Sequence, residues 1–180
     1  MPFYNPLLQE FHTPVYFFTS SILKWNHLLQ PDHRKDIITR SLKYLVDEKR
    51  ISLYGFVLMP NHIHLLLNMI EEQIFSDFKR DFGKYTANQL KYDLELNDID
   101  YLKNFVSTQK DRKYQIWERR PLAIPVYNEK TFVQKLNYTH NNPCKSPWNL
   151  AKMPEDYFYS STKFYLNGID EWGMITNFWN

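Results

Sequence analysis

Residues 51–69 read ISLYGFVLMPNHIHLLLNM. Ile51 to Met59 and His62 to Met69 are two apolar runs of strand length, and Pro60-Asn61 between them fits a tight connection, so the stretch predicts an antiparallel pair of strands. On the N-terminal side, Val15 to Leu23 (VYFFTSSIL) follows Pro14 and is rich in β-branched and aromatic residues, which predicts another strand. Between them, Pro31-Asp32 opens a helix in which Ile38, Leu42, Leu45 and Val46 recur at helical spacing up to Lys49-Arg50. On the C-terminal side, Phe75, Phe78, Phe82 and Tyr85 step by three and four residues, predicting a helix with that face against the core. Residues 97–113 are polar and assign no element, Tyr114 to Trp117 suits a short strand, and Pro121 and Pro125 bracket a predicted loop. Glu129 to Asn141 predicts a last helix, stopped by Pro143. The order β-α-β-β-α-(β)-α predicts an α/β (α+β) sandwich with a mainly antiparallel central sheet and helices packed on it.

The 180 residues suit a single domain, with a core over about 15–143 and residues 144–180 as a C-terminal arm packed on it. Charged residues make up 23% and apolar residues 43%, a globular rather than a disordered balance. Four glycines and no G-x-G-x-x-G or Walker pattern argue against a glycine-rich phosphate loop. The single cysteine, Cys144, excludes an internal disulfide framework and a cysteine-cluster zinc site. With no signal-peptide pattern and no long apolar run, the expected location is cytoplasmic.

Two groups of residues carry chemistry. In a strand, residues two apart share a face at about 6.6 Å, so His62 and His64 project together while Ile63, Leu65 and Leu67 point the other way. Two imidazoles so placed can reach one divalent ion, or they are two partly buried histidines of a sheet. On a helical wheel, Phe132, Val133, Leu136 and His140 form the buried stripe, which makes His140 a core histidine. Tyr138 falls on the opposite, polar side, with Asn142 one turn further on. The alternative for Tyr138 is packing against the aromatic tail. His12, His27 and His33 lack such a pairing and are expected at the surface or in packing.

Basic residues cluster from Lys103 to Arg120, where Lys103, Lys110, Arg112, Lys113, Arg119 and Arg120 face only Asp111 and Glu118, in a chain of net charge +2. Tyr114 and Trp117 interleave with them. A patch of this kind can track a phosphate backbone while rings stack on unpaired bases. Lys79, Arg80 and Lys84 of the second helix could extend it.

These stretches together resemble the HUH single-tyrosine transposases of bacterial insertion sequences, and within them the REP-associated tyrosine transposases. PNHIHLLL and NYTHNNPCK carry the resemblance. Tyr16-Phe17-Phe18-Thr19 is similar to that family's first strand, Ile116-Trp117-Glu118-Arg119-Arg120 to its W-x-x-R segment, and Tyr159-Ser160-Ser161-Thr162 to its Y-S-S-A. One departure is Pro147, where the family usually has Gly. The resemblance implies a ferredoxin-like, RRM-like sandwich. It implies Tyr138 as nucleophile, and His62, His64 and Asn142 as ligands of Mg²⁺ or Mn²⁺. It also implies single-stranded DNA bearing a hairpin or REP-like palindrome as partner, bound by a monomer or homodimer that cleaves and rejoins through a 5′-phosphotyrosine. A metal nuclease that uses water instead of Tyr138, and a non-catalytic module that binds structured nucleic acid, are the rival readings.

Overall fold

The computed structural model describes residues 10–179. Four strands form one sheet in the order β2-β3-β1-β4. They are β1 (Glu10–Ser21), β2 (Ile51–Leu58), β3 (His62–Met69) and β4 (Leu122–Asn128), and every neighbouring pair is antiparallel. Helices α1 (Asp32–Asp47) and α2 (Phe75–Asn97) cross over between strands, a short α3 (Ile99–Leu102) follows α2, α4 (Glu129–Asn141) leaves β4, and α5 (Thr162–Asn167) lies in the tail. This is the antiparallel α/β sandwich that the element order predicts.

Alternation along the strands divides the core in two. Phe18 of β1 and Ile63, Leu65 and Leu67 of β3 join Ile38 and Leu42 of α1 and Phe78, Phe82, Leu90 and Leu94 of α2 on one face. Val15, Phe17 and Leu66 meet Phe132 and Leu136 of α4 on the other. Two charged residues of α1 are buried with partners: Arg34 Nε donates to Asp93 Oδ2 at 2.6 Å, and Lys35 Nζ donates to Asp32 Oδ1 at 2.9 Å. The pairing is what makes their burial tolerable.

Several sequence-based expectations change. β1 begins earlier than Val15, and α1 ends at Asp47, because Lys49 adopts a positive φ of 52° that a helix cannot continue through. Tyr85 does not face the core and is 55% exposed; the buried stripe of α2 runs Phe78, Phe82, Thr86, Leu90, Leu94 and carries the helix on to Asn97. Pro121 and Pro125 do not bracket a loop. Leu122–Asn128 is an edge strand pairing only with β1, where a residue without an N–H can be accommodated. Tyr114 and Trp117 make isolated bridges to Val106 and Ile22 rather than a strand. His12 lies outside the residues whose side chains are described.

Residues 157–176 run against the outer side of β2: Leu58 N–H donates to Tyr159 O, Ser161 N–H to Phe56 O, and Thr176 N–H to Leu53 O. An edge covered in this way is closed to pairing with another chain. Among the described residues no helix is long and apolar enough to cross a membrane.

Candidate active site

His62 and His64 lie at the start of β3, on the face covered by α4. The antiparallel register puts Thr19 of β1 opposite His64 and Ser21 opposite His62. Both imidazoles are buried, and their ring centroids are 4.9 Å apart. Each is held by an oxygen at Nδ1, since His62 Nδ1 lies 2.7 Å from Asn61 Oδ1 and His64 Nδ1 lies 2.7 Å from Thr19 Oγ1. The Asn61 oxygen can only accept, so His62 carries its proton on Nδ1 and keeps a lone pair on Nε2. Asn142 Nδ2 lies 3.1 Å from His64 Nε2, and with the amide nitrogen on that side His64 has the same tautomer. Burial lowers the His62 pKa to about 4; it lowers that of His64 to about 3, helped by His62, Lys145 and Lys135. Both rings are therefore neutral at pH 7, the state a metal needs.

Helix α4 brings the remaining groups. Asn128 caps it, its Oδ1 accepting from Thr131 N–H at 2.9 Å. Phe132, Leu136, Thr139 and His140 are buried, and His140 Nε2 bonds Ser161 Oγ at 2.8 Å. Thr139 replaces Val133 in the buried stripe; Val133 is half-buried. Tyr138 is 44% exposed, its ring 5.3 Å from that of His64 and edge-on to Phe17 at 6.0 Å. Asn142 keeps helical angles after the last turn, and its amide is buried against His64. Tyr138, His62, His64 and Asn142 thus converge at one place.

The donor set fits a divalent cation. It comprises two neutral imidazoles oriented through Nδ1, as metal-binding histidines usually are, and a buried amide whose oxygen can replace its nitrogen by turning over. Among the described residues no cluster of three His, Cys, Asp or Glu side chains offers an alternative site.

Sequence reasoning missed several contributors. Thr19 is found only through the strand register. Asn61 forms the turn before β3 and orients His62. Lys145 places its Nζ 4.4 Å from the Tyr138 ring, and Lys135 places its Nζ 4.9 Å from the Phe17 ring. The segment carrying Pro147 folds back, with Leu150 N–H donating to Pro143 O, and sets the Trp148 ring 5.8 Å from that of His62. Lys145 stands seven residues after Tyr138, two helical turns on, a spacing that could have drawn attention to it.

The basic residues gather elsewhere. Lys79, Arg80, Lys84, Arg112, Arg119 and Arg120 line an open groove of about 1010 Å³ between α2 and residues 111–121. Phe18 and Ser20 line it too, so it lies on the α2 face of the sheet, opposite Phe17, Thr19 and the histidines. Arg80 is paired with Asp77 and Asp81, and Arg112 with Asp111. Lys110 and Lys113 are exposed outside the groove lining. Trp117 is not a stacking surface: it is 9% exposed, and its indole N–H donates to Thr86 Oγ1 at 3.0 Å, tying residues 114–120 to α2. Tyr114, the other ring expected to stack, is half-buried in the groove wall. His27 is exposed beside Trp148, and His33 pairs with Asp93 at 3.3 Å.

No family model matches the chain, and no curated protein matches it in sequence. Solved structures do. A chain provisionally named a transposase, from Deinococcus radiodurans R1, is 19% identical, with a TM-score of 0.47 over 78% of this chain and 97% of that one. A REP-associated tyrosine transposase, solved bound to a REP hairpin, is also 19% identical, with a TM-score of 0.64 over 99% of this chain and 95% of the other. The chain therefore has the fold of a REP-associated tyrosine transposase along nearly its whole length.

Proposed function

We propose that this protein is a DNA-processing enzyme of the transposase type, which nicks and rejoins single-stranded DNA carrying a hairpin. The observation that carries the reading is the convergence of a half-exposed phenol, two neutral imidazoles and a buried amide at the junction of β3 and α4. The fold shared with a transposase bound to hairpin DNA supports it, as does the basic groove.

Tyr138 Oη attacks a backbone phosphorus. The Oη–P bond forms, the bond from phosphorus to the 3′ oxygen breaks, the phenolic proton passes to water, and the departing 3′ oxygen takes up a proton. The product is a 5′-phosphotyrosine and a free 3′ hydroxyl. Because the link conserves the energy of the broken bond, attack by a 3′ hydroxyl rejoins the strand without ATP. His62, His64 and Asn142 would hold Mg²⁺ or Mn²⁺, which would polarise a non-bridging phosphoryl oxygen and offset its charge. Imidazole ligands suit Mn²⁺ at least as well as Mg²⁺. Lys79, Lys84, Arg119 and Arg120 contact phosphates of the hairpin side.

Single-stranded DNA from the flanks of the protein's own gene, labelled at one end or the other and incubated with Mn²⁺, tests this on a denaturing protein gel. The 3′ label is expected to migrate with the protein and the 5′ label with a shortened free strand. Both labels on free fragments would favour hydrolysis by water, and no cleavage with retained binding would favour the non-catalytic module.

A further inference from the structure

Between the basic groove and the tyrosine site stands an unusual turn. Lys24 and Trp25 both adopt left-handed backbone angles, with φ of 53° and 56°. Neither is glycine, and consecutive side-chain-bearing residues in this region are disfavoured, so surrounding bonds must impose the conformation. Those bonds are present: Lys24 N–H donates to Glu118 Oε1 at 2.8 Å, Trp25 N–H to Ile22 O at 2.9 Å, and Asn61 Nδ2 to Trp25 O at 3.2 Å. The result is an indole 59% exposed, standing edge-on to His62 at 6.0 Å.

Asn61 joins this turn to the site. One side of its amide holds the carbonyl of Trp25, and the other accepts from Nδ1 of His62. The turn is also continuous with the groove, since Leu23 borders the same hollow as Glu118, Arg119 and Arg120, and the two arginines line the basic groove as well. A strand running from the groove on one face of the sheet to Tyr138 on the other rounds the end of β1, where Trp25 projects.

We propose that Trp25 is a stacking platform for an unpaired nucleobase beside the Tyr138 site, held in place by Asn61, and that it gives the site its preference for single-stranded DNA. This rests on the proposed function but adds a subsite to it. A ring stacks on any base, so the contact selects unpaired over paired DNA without reading sequence.

The test compares binding of poly(dT) with binding of a fully abasic strand of the same length, using the full chain. The two probes have equal phosphates and differ only in bases. Trp25→Leu is expected to weaken poly(dT) binding about tenfold, to leave abasic binding unchanged, and Trp25→Phe to restore most of the loss. Asn61→Ala is expected to reduce the same ratio, by releasing the turn. An unchanged ratio in Trp25→Leu overturns the platform, as does an equal loss on both probes, which would mark a general loss of structure or charge. Covalent adduct formation by the wild-type protein is scored separately: its absence counts against the phosphotyrosine reading, whereas an adduct with an unchanged ratio counts against Trp25 alone.

Discussion

His140 shows most simply how single residues set the behaviour of this site. It is buried two residues before Asn142, and burial alone brings its pKa from 6.5 to about 4. Folded, it stays neutral where an unfolded chain would bind a proton. Its contribution to stability is complete above about pH 6.5 and disappears as the pH falls toward 4, a difference of about 3 kcal/mol if the whole shift is expressed. His62 and His64 act in the same direction. The midpoint of thermal unfolding should therefore fall as the pH drops through this window, and His140→Gln should flatten part of the fall; equal pH dependence in the variant would remove His140 from the account. At this scale the sequence is informative where a local period suffices. A repeat of two brings His62 beside His64, and a repeat of 3.6 turns Tyr138 away from Leu136. Thr19, Asn61 and Lys145 escaped because their roles depend on a partner strand, a turn and a folded-back tail. Trp117 departs from the sequence-based expectation because a buried indole with one hydroxyl partner reads, in sequence, like an exposed one.

Among the elements, α4 matters most, since it carries Tyr138 and is capped at its C-terminus by Asn142. It approaches the sheet over Gly55 of β2, at a point where the β2–β3 register shifts. A Cβ there would lie 2.6 Å from Leu136 Cδ1 and 3.4 Å from Ser161 Oγ. Gly55→Ala forces Leu136, itself buried, to turn away or α4 to rise, at a cost of about 1–3 kcal/mol. The expected outcome is a lower melting temperature and slower nicking, with the cost not adding to that of Leu136→Ala, because the smaller side chain removes the clash. Simple additivity of the two substitutions would show that the close approach is not what Gly55 provides. The limits of α4 were readable in advance because Asn128 and Pro143 are local signals. Those of α2 and β4 were not: Thr86, Leu90 and Leu94 extend the α2 stripe with one polar member, and Pro125 is admissible only because β4 has a neighbour on one side alone.

For the molecule as a whole, the mainly antiparallel sheet and the order of elements up to α2 were legible, while the fourth strand, expected at 114–117, lies at Leu122–Asn128. The division of labour between the two faces of the sheet was not legible. A net charge of +2 conceals a groove lined by Lys79, Lys84, Arg119 and Arg120 on the α2 face, and a neutral, mostly buried histidine site on the α4 face. A sequence carries no record of which side of the sheet a surface segment falls on. Under the proposed function, this separation would let DNA binding and DNA cleavage be impaired independently, and this makes Tyr138 a clean test. Tyr138→Phe keeps the ring against His64 and Phe17 and removes one hydroxyl, so the fold and DNA binding should persist. The decisive measurement is the covalent protein–DNA adduct formed by wild type and by Tyr138→Phe on the same single-stranded substrate with Mn²⁺. The account predicts an adduct mapped to Tyr138 in the wild type, and neither adduct nor nicking in a variant that still binds; an adduct of equal yield in Tyr138→Phe, or nicking by it without one, would contradict the account.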